Sequence, residues 1–470
     1  MLVRFVRLCG GTVFCLQSAA TMLSPVLLSA VRLRPDRYLP PLVPWGQTPR
    51  ALAAFVGDGE TEDTTAAAST TGSETNNQFN DPFMPILSAN TLDAFLGGER
   101  QKIGDVLLTG ATGYLGIHIL NELLSHYEGH IWCPIRAEND EKALSRLKSM
   151  HFYYFGRTGA FDHFKERITA FSAEVTQPDA LNRIDDRNLT VVNCVANVKH
   201  FSAGNDIEMV NIESVRHLIT FCLRTGSSLI HVSTNSIAGM SIDGKPGPEV
   251  KLTEQTFNIG QDIDANKYVY SKYKAEELVL DAIAHHGLNA KIMRVGNLSA
   301  RQKDGEFQIN FNTNNFLAML RAYVVIGMVP YEDLDRRFEF SPIDEVASAI
   351  MLLAQTPKEC IVFHPCNTHR QFLSDILMGF ALSGLSLRRV ETPEFRQALE
   401  RMMENPDLVT LLRPLMAYNV SSKHTMRWIE SANDYTTQVL YRMGFQWPPT
   451  ASDYVHRFVD TIVGFDYFTV

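Results

Sequence analysis

Residues 106–116 read V-L-L-T-G-A-T-G-Y-L-G, and an apolar run at helical spacing follows over 117–124. A short buried strand that runs into a glycine-rich turn and then a helix leaves few folds open to a chain. Gly110 permits the tight turn, Gly113 lets the backbone approach a pyrophosphate, and Gly116 lets helix and strand pack closely. The helix start then presents free N–H groups and its positive dipole end to an anion. Thr112, Tyr114 and Leu115 lie between these glycines and complete the expected phosphate loop.

The rest of the chain repeats that alternation. Runs 105–109, 131–135, 190–195, 229–232 and 290–295 are short and rich in Val, Ile and Leu, and helical stretches at 142–150, 208–224 and 271–285 lie between them. Strands alternating with helices predict an α/β doubly wound parallel sheet covered on both faces. After residue 300 the pattern loosens into polar loops and helices, which suits a smaller C-terminal lobe. The expected organisation is a dinucleotide-binding domain over 85–300 and a substrate-binding lobe over 301–470.

The 470 residues are 45% hydrophobic and 20% charged, with a formal net charge of −9. These are globular values. A net-acidic chain without a long basic run gives nucleic acid no footprint. The seven cysteines form no C-x-x-C pair and are odd in number, so they read as reduced thiols of a cytoplasmic protein. No His, Cys and Asp set stands at metal-ligand spacing.

The end of the second strand selects the cofactor. A NAD-specific fold places an acid about 20 residues beyond the loop, on the ribose 2′-hydroxyl. Here the run C-P-I-R-A puts Arg136 there, with Arg146 in the following helix. A guanidinium binds a 2′-phosphate bidentately, so the expected cofactor is NADPH.

Two further segments carry chemistry. Residues 266–276 read N-K-Y-V-Y-S-K-Y-K-A-E, so Tyr268 and Lys272 share a helix face, as do Tyr270 and Lys274. A nearby ammonium favours phenolate and makes a Tyr a usable proton donor. Upstream, L-I-H-V-S-T-N-S-I-A-G ends a strand in hydroxyls, and Thr234 or Ser233 there can hydrogen-bond a carbonyl oxygen as it becomes an alkoxide. Another strand end, V-N-C-V-A-N-V, brings Ala196, Asn197 and Val198 to the same crevice edge.

Taken together, TGATGYLG, CPIRA, HVSTNSIAG, YVYSKYKAEE, KIMRVGNLSAR and EFSPIDEVASAI resemble an extended short-chain dehydrogenase/reductase. Within it the chain resembles the terminal thioester reductase domains of nonribosomal peptide synthetases, on the male-sterility-like branch, over roughly residues 101–465. The resemblance implies the pattern Y-x-x-S-K-x-x-A-E on Tyr268, Ser271, Lys272, Ala275 and Glu276, which sets the register against Tyr270. It implies Thr234 as the catalytic hydroxyl, and Arg294, Gly296 and Asn297 near the nicotinamide. Where the family has Gly-Asp touching the adenine, this chain has Ala173, Glu174 and Val175, so Glu174 and Val175 are the expected adenine contacts. The implied reaction is NADPH-dependent reductive release of an acyl or peptidyl thioester from a carrier's phosphopantetheine arm, to an aldehyde or on to an alcohol. The implied partner is an acyl or peptidyl carrier protein, in cis or in trans. Rival readings are a fatty acyl-CoA reductase, a sugar-nucleotide epimerase or dehydratase, and a non-catalytic NADP-binding sensor. Arg136 argues against the epimerase, and the presence of Thr234, Tyr268 and Lys272 argues against the sensor.

The start of the chain is read in two ways. Leu8 to Val31 carries no charge and follows Arg4 and Arg7, as a signal peptide does, but it holds Pro25 and many small polar residues. Alternatively, L-C-G-G-T-V and TPRALAAFV resemble parts of a peptidyl carrier domain, with Val13 where the phosphopantetheine serine stands. Residues 1–56 are then a degenerate carrier remnant that cannot be loaded. Residues 57–84, almost without large apolar side chains, read as a flexible linker.

Overall fold

The computed structural model describes residues 81–156, 161–198, 204–239, 250–264, 266–417 and 429–468. Both readings of residues 1–56, and most of the expected linker, lie outside the described residues. The last linker residues are packed. Asp81 accepts hydrogen bonds from the backbone N–H groups of Phe257 and Asn258, each at 3.0 Å, and Phe83 packs edge-on against the Phe257 ring.

Seven parallel strands form the central sheet: β1 (Val106–Thr109), β2 (Ile131–Ile135), β3 (Ile168–Ser172), β4 (Thr190–Asn193), β5 (Ser228–Thr234), β6 (Ala290–Val295) and β7 (Val362–Phe363). Their spatial order is β3-β2-β1-β4-β5-β6-β7. The order reverses between β1 and β4, and ligands of such sheets bind in the crevice at that reversal, beyond the strand carboxyl ends.

Alternate residues of the strands feed two cores. Leu107, Val191, Leu229 and Ile292 point to one face, and Leu108, Val192, Ile230 and Met293 to the other. Helix α1 (Tyr114–His126), α2 (Asp140–Phe155) and α6 (Ile343–Leu353) cover the second face; α3 (Ser214–Thr225) and α4 (Lys267–His286) cover the first. Burial on both faces explains why these strands read as continuous apolar runs instead of alternating ones. The doubly wound expectation is met.

A third core holds the C-terminal lobe together. It is built from α5 (Asn315–Ile326), α7 (Leu373–Leu382), α8 (Thr392–Met403), α9 (Pro406–Ala417) and α11 (Ser452–Val463), with Leu320, Phe380, Phe395 and Phe458 at its centre. Between α9 and α11, α10 (Asp434–Arg442) returns to the sheet side, where Val439 and Leu440 join the core under α1. The expected boundary at residue 300 is therefore not a single cut. Helix α6 and strand β7 come after it in sequence and complete the nucleotide-binding half. At two residues, β7 is too short to show a period of its own.

One expected helix is also remodelled. The stretch 208–224 contains a π-helical turn over Met209–Glu213 before α3 begins. Such turns cluster at functional sites. No helix among the described residues is long and apolar enough to cross a membrane.

Candidate active site

The glycine loop joins β1 to α1 at the reversal of strand order. Gly110 adopts φ 73°, a left-handed conformation that costs glycine little. A Cβ on Gly116 would fall 2.1 Å from the Gly110 carbonyl oxygen, so the close approach of helix and turn requires glycine there. Gly113 caps α1 without any side-chain hydrogen bond, which leaves the first helical N–H groups to an anion. This is a cradle fitted to a dinucleotide pyrophosphate. The side chains of Tyr114 and Leu115 point elsewhere. Leu115 is buried in the core, and the Tyr114 hydroxyl donates to the Ser299 carbonyl at 2.9 Å. Their contribution to the cradle is backbone.

At the ends of β2 and β3, Arg136 and Glu174 form an exposed ion pair at 3.6 Å. Arg146, on α2, donates to the Arg136 carbonyl at 2.9 Å, so both guanidinium groups stand at one corner of the crevice. Val175 is buried, and its carbonyl accepts a hydrogen bond from His217 Nδ1 at 3.2 Å.

Beyond β4, Ala196, Asn197 and Val198 form the crevice edge, held from below by a residue that the sequence reading missed. Asn211, buried in the π-helical turn, accepts from the Asn197 N–H at 2.7 Å and donates to the Asn197 carbonyl at 3.1 Å. Its Nδ2 also donates to Ser271 Oγ at 2.9 Å, and Ser271 donates to the Tyr268 carbonyl. One asparagine thus ties the β4 edge to the first turn of α4. Only a buried polar residue on an otherwise apolar helix face hinted at it.

Tyr268 sits in that first turn, where Asn266 Oδ1 caps the helix by accepting from the Tyr268 and Val269 N–H groups. Its side chain hydrogen-bonds Thr234, at the end of β5. Both residues line a cavity of about 530 Å³, together with Gly296 and Asn297 from the end of β6. Lys272 lies one turn further along α4 and is almost completely buried. The alternative pair is not in the crevice: Lys274 bridges to Glu277 at 2.7 Å at the helix surface.

The electrostatics differ from expectation in one respect. Burial pushes the Tyr268 hydroxyl up to about 12, opposed by the Thr234 hydrogen bond. Lys272 instead donates to the Val232 carbonyl at 2.7 Å, and its own burial lowers it to about 8, against the raising effect of Glu276 and Cys194. A hydroxyl held protonated remains a hydrogen-bond donor across the physiological range.

Arg294 is also displaced from its expected place. It does not face the cavity. Its side chain is fully buried behind the site, with Nη2 2.9 Å from Glu276 Oε2 and Nη1 donating to the Thr253 and Thr256 carbonyls. Glu276 accepts from Ser233 Oγ at 2.5 Å as well. β5, β6 and α4 are therefore locked together one residue behind the reacting groups.

Among the described residues, no group of three or more His, Cys, Asp or Glu side chains could hold a metal ion. The five described cysteines are free thiols.

Comparison with known proteins places the chain in a family. Residues 108–350 match the male sterility protein family. The chain is 30% identical over 317 residues to an isonitrile lipopeptide synthase of Streptomyces coeruleorubidus, covering 64% of this chain and 20% of that protein. It is 28% identical over 304 residues to a glycine betaine reductase of Emericella nidulans, covering 60% and 23%. The chain thus spans about a fifth to a quarter of these relatives. A solved thiolation-reductase di-domain from an archaeal non-ribosomal peptide synthetase superposes with a TM-score of 0.74 at 32% identity, covering 84% of this chain and 82% of that one. The chain belongs to the male sterility protein family, among the terminal reductase domains of the extended short-chain dehydrogenase/reductases, and its cofactor is a nicotinamide dinucleotide.

Proposed function

We propose that the chain uses NADPH to reduce an acyl or peptidyl thioester, presented on the phosphopantetheine arm of a carrier protein, and so releases an aldehyde. The observation that carries this reading is the Thr234–Tyr268 hydroxyl pair, which opens onto a cavity large enough for an acyl chain at the mouth of a dinucleotide crevice. When held in the crevice, NADPH would supply the hydride that the thioester carbonyl carbon takes up. Tyr268 and Thr234 hydrogen-bond the carbonyl oxygen and stabilise the charge that develops on it. Tyr268 gives its proton to that oxygen, forming a hemithioacetal. Collapse then breaks the C–S bond and frees the thiol and the aldehyde. Lys272, one turn along α4, gives one N–H to the Val232 carbonyl and would use its remaining donors to orient the nicotinamide ribose. The loop residues Gly110, Thr112, Gly113 and Gly116 would take the pyrophosphate, Glu174 and Val175 would border the adenine, and Ala196, Asn197 and Val198 would border the riboses. The test is incubation with NADPH and an acyl-loaded carrier protein. Aldehyde trapped as an oxime supports the reading, and release of free acid contradicts it.

Arg136 and Arg146 favour NADPH over NADH in this reading. The Arg136–Glu174 pair is exposed and therefore weak, so a dianionic 2′-phosphate displaces it readily. Arg136→Ala should raise the KM for NADPH about tenfold or more and leave that for NADH nearly unchanged. Equal effects on the two cofactors would remove Arg136 from the selector role.

Lys272 sets a pH limit. The ionisable groups facing it are Glu276, Cys194 and His231. Burial holds the Cys194 thiol near 12 and His231 well below its ordinary value, so neither titrates near 8. Lys272 loses its charge as pH rises through about 8, and kcat should fall along that limb. A kcat that stays flat to pH 10 would show that the ammonium charge is dispensable.

A further inference from the structure

The cavity beside Thr234 and Tyr268 contains a carboxylate that the reduction does not use. Glu339 ends the short strand Arg337–Glu339, which pairs antiparallel with Arg370–Phe372 and sets Arg370 directly opposite Glu339. Its side chain is only 11% exposed, and that exposure is to the cavity. The carboxylate lies against the Gly296 backbone so closely that a Cβ there would fall 2.0 Å from Oε1. Gly296 thus admits the acid to the wall next to the reacting hydroxyls. The Ser341 hydroxyl donates to Oε1, and Arg370 stands 3.6 Å from Oε2. The Asn297 backbone N–H donates to the carboxylate as well. A carboxylate has about four acceptor positions, so these three partners leave room for one more donor from a guest. The surrounding wall is polar too: Asn297 and Asn310 bring carboxamides and Arg337 a guanidinium.

We infer that Glu339 is the substrate-selecting residue of this pocket, accepting a hydrogen bond from an N–H group near the thioester carbonyl, so that aminoacyl and peptidyl thioesters are reduced in preference to alkyl ones. The inference rests on the thioester reductase reading. An N–H guest satisfies the buried carboxylate, whereas a plain alkyl chain strips water from it and returns nothing. Arg337 on the same wall favours a guest that carries an acceptor beside its donor, as an amide does, over a bare cation. Burial raises Glu339 above the ordinary carboxylate value, opposed by Arg370, the Ser341 hydroxyl and the Asn297 N–H, and a guest N–H would oppose it in the same sense.

The test compares two pantetheine thioesters, N-acetylglycyl and 4-oxopentanoyl, in which one CH₂ replaces the N–H and little else changes. The full chain should favour the N-acetylglycyl thioester about tenfold or more in kcat/KM. Glu339→Ala should bring the ratio close to one, and Glu339→Gln should reduce it while keeping the shape of the site. The ratio is the readout, because general damage lowers both substrates together. A wild-type ratio near one, or a ratio that both variants leave intact, overturns the inference. If neither thioester supports NADPH oxidation, the reductase reading fails instead. The same acyl pair attached as unreactive pantetheine amides then decides the matter by calorimetry: a Kd ratio that collapses in Glu339→Ala sustains the role of Glu339, and one that does not refutes it.

Discussion

Tyr268→Phe is expected to lower kcat for thioester reduction by about 10²- to 10⁴-fold, the usual worth of a positioned acid. The argument is geometric. Its hydroxyl lines the cavity, bonds Thr234 and is held protonated by burial. The substitution removes one of two donors from the developing oxyanion and the proton that quenches it. The first turn of α4 is untouched, since the Asn266 cap and the Ser271 bond reach only the Tyr268 backbone. Steady-state NADPH oxidation reads the effect, and cofactor fluorescence reads binding separately. Turnover unchanged in the variant would remove Tyr268 from the chemistry.

The largest expected stability effect lies one layer deeper. Glu276→Ala should cost about 3–5 kcal/mol, because it leaves the Arg294 guanidinium charged in a site with no solvent access. Arg294 would keep its carbonyl acceptors, and Ser233 would lose its carboxylate. The urea midpoint measures the loss. The double substitution Glu276→Leu with Arg294→Met should destabilise less than Glu276→Ala alone, since an apolar pair of similar volume carries no unpaired charge. Additive losses would mean that the two residues act independently.

What was legible in the sequence follows from how local each constraint is. The glycines of 110–116 answer to backbone sterics within one turn, so their spacing revealed both turn and helix start. Tyr268 and Lys272 share a face through helix geometry alone. Residues that depend on distant partners were not legible. Lys272 was expected to lower the Tyr268 hydroxyl, but one of its three N–H donors goes to the Val232 carbonyl on β5 and burial raises Tyr268 instead. Arg294 was expected at the nicotinamide, yet Glu276, which follows Lys272 by one turn of α4, holds it behind the site. Asn211 acts through a π-helical turn that no period reveals, and Glu339 owes its place to a cross-strand arginine.

Hydride transfer to the thioester carbonyl is the centre of the proposed mechanism, and isotope transfer tests it most directly. The chain would be given NADPH deuterated at the transferring position and an acyl-loaded carrier protein, and the released product read by mass spectrometry. An aldehyde carrying one deuterium on its former carbonyl carbon, or an alcohol carrying two, is the predicted result. An unlabelled product, or release that proceeds equally without the cofactor, would contradict it.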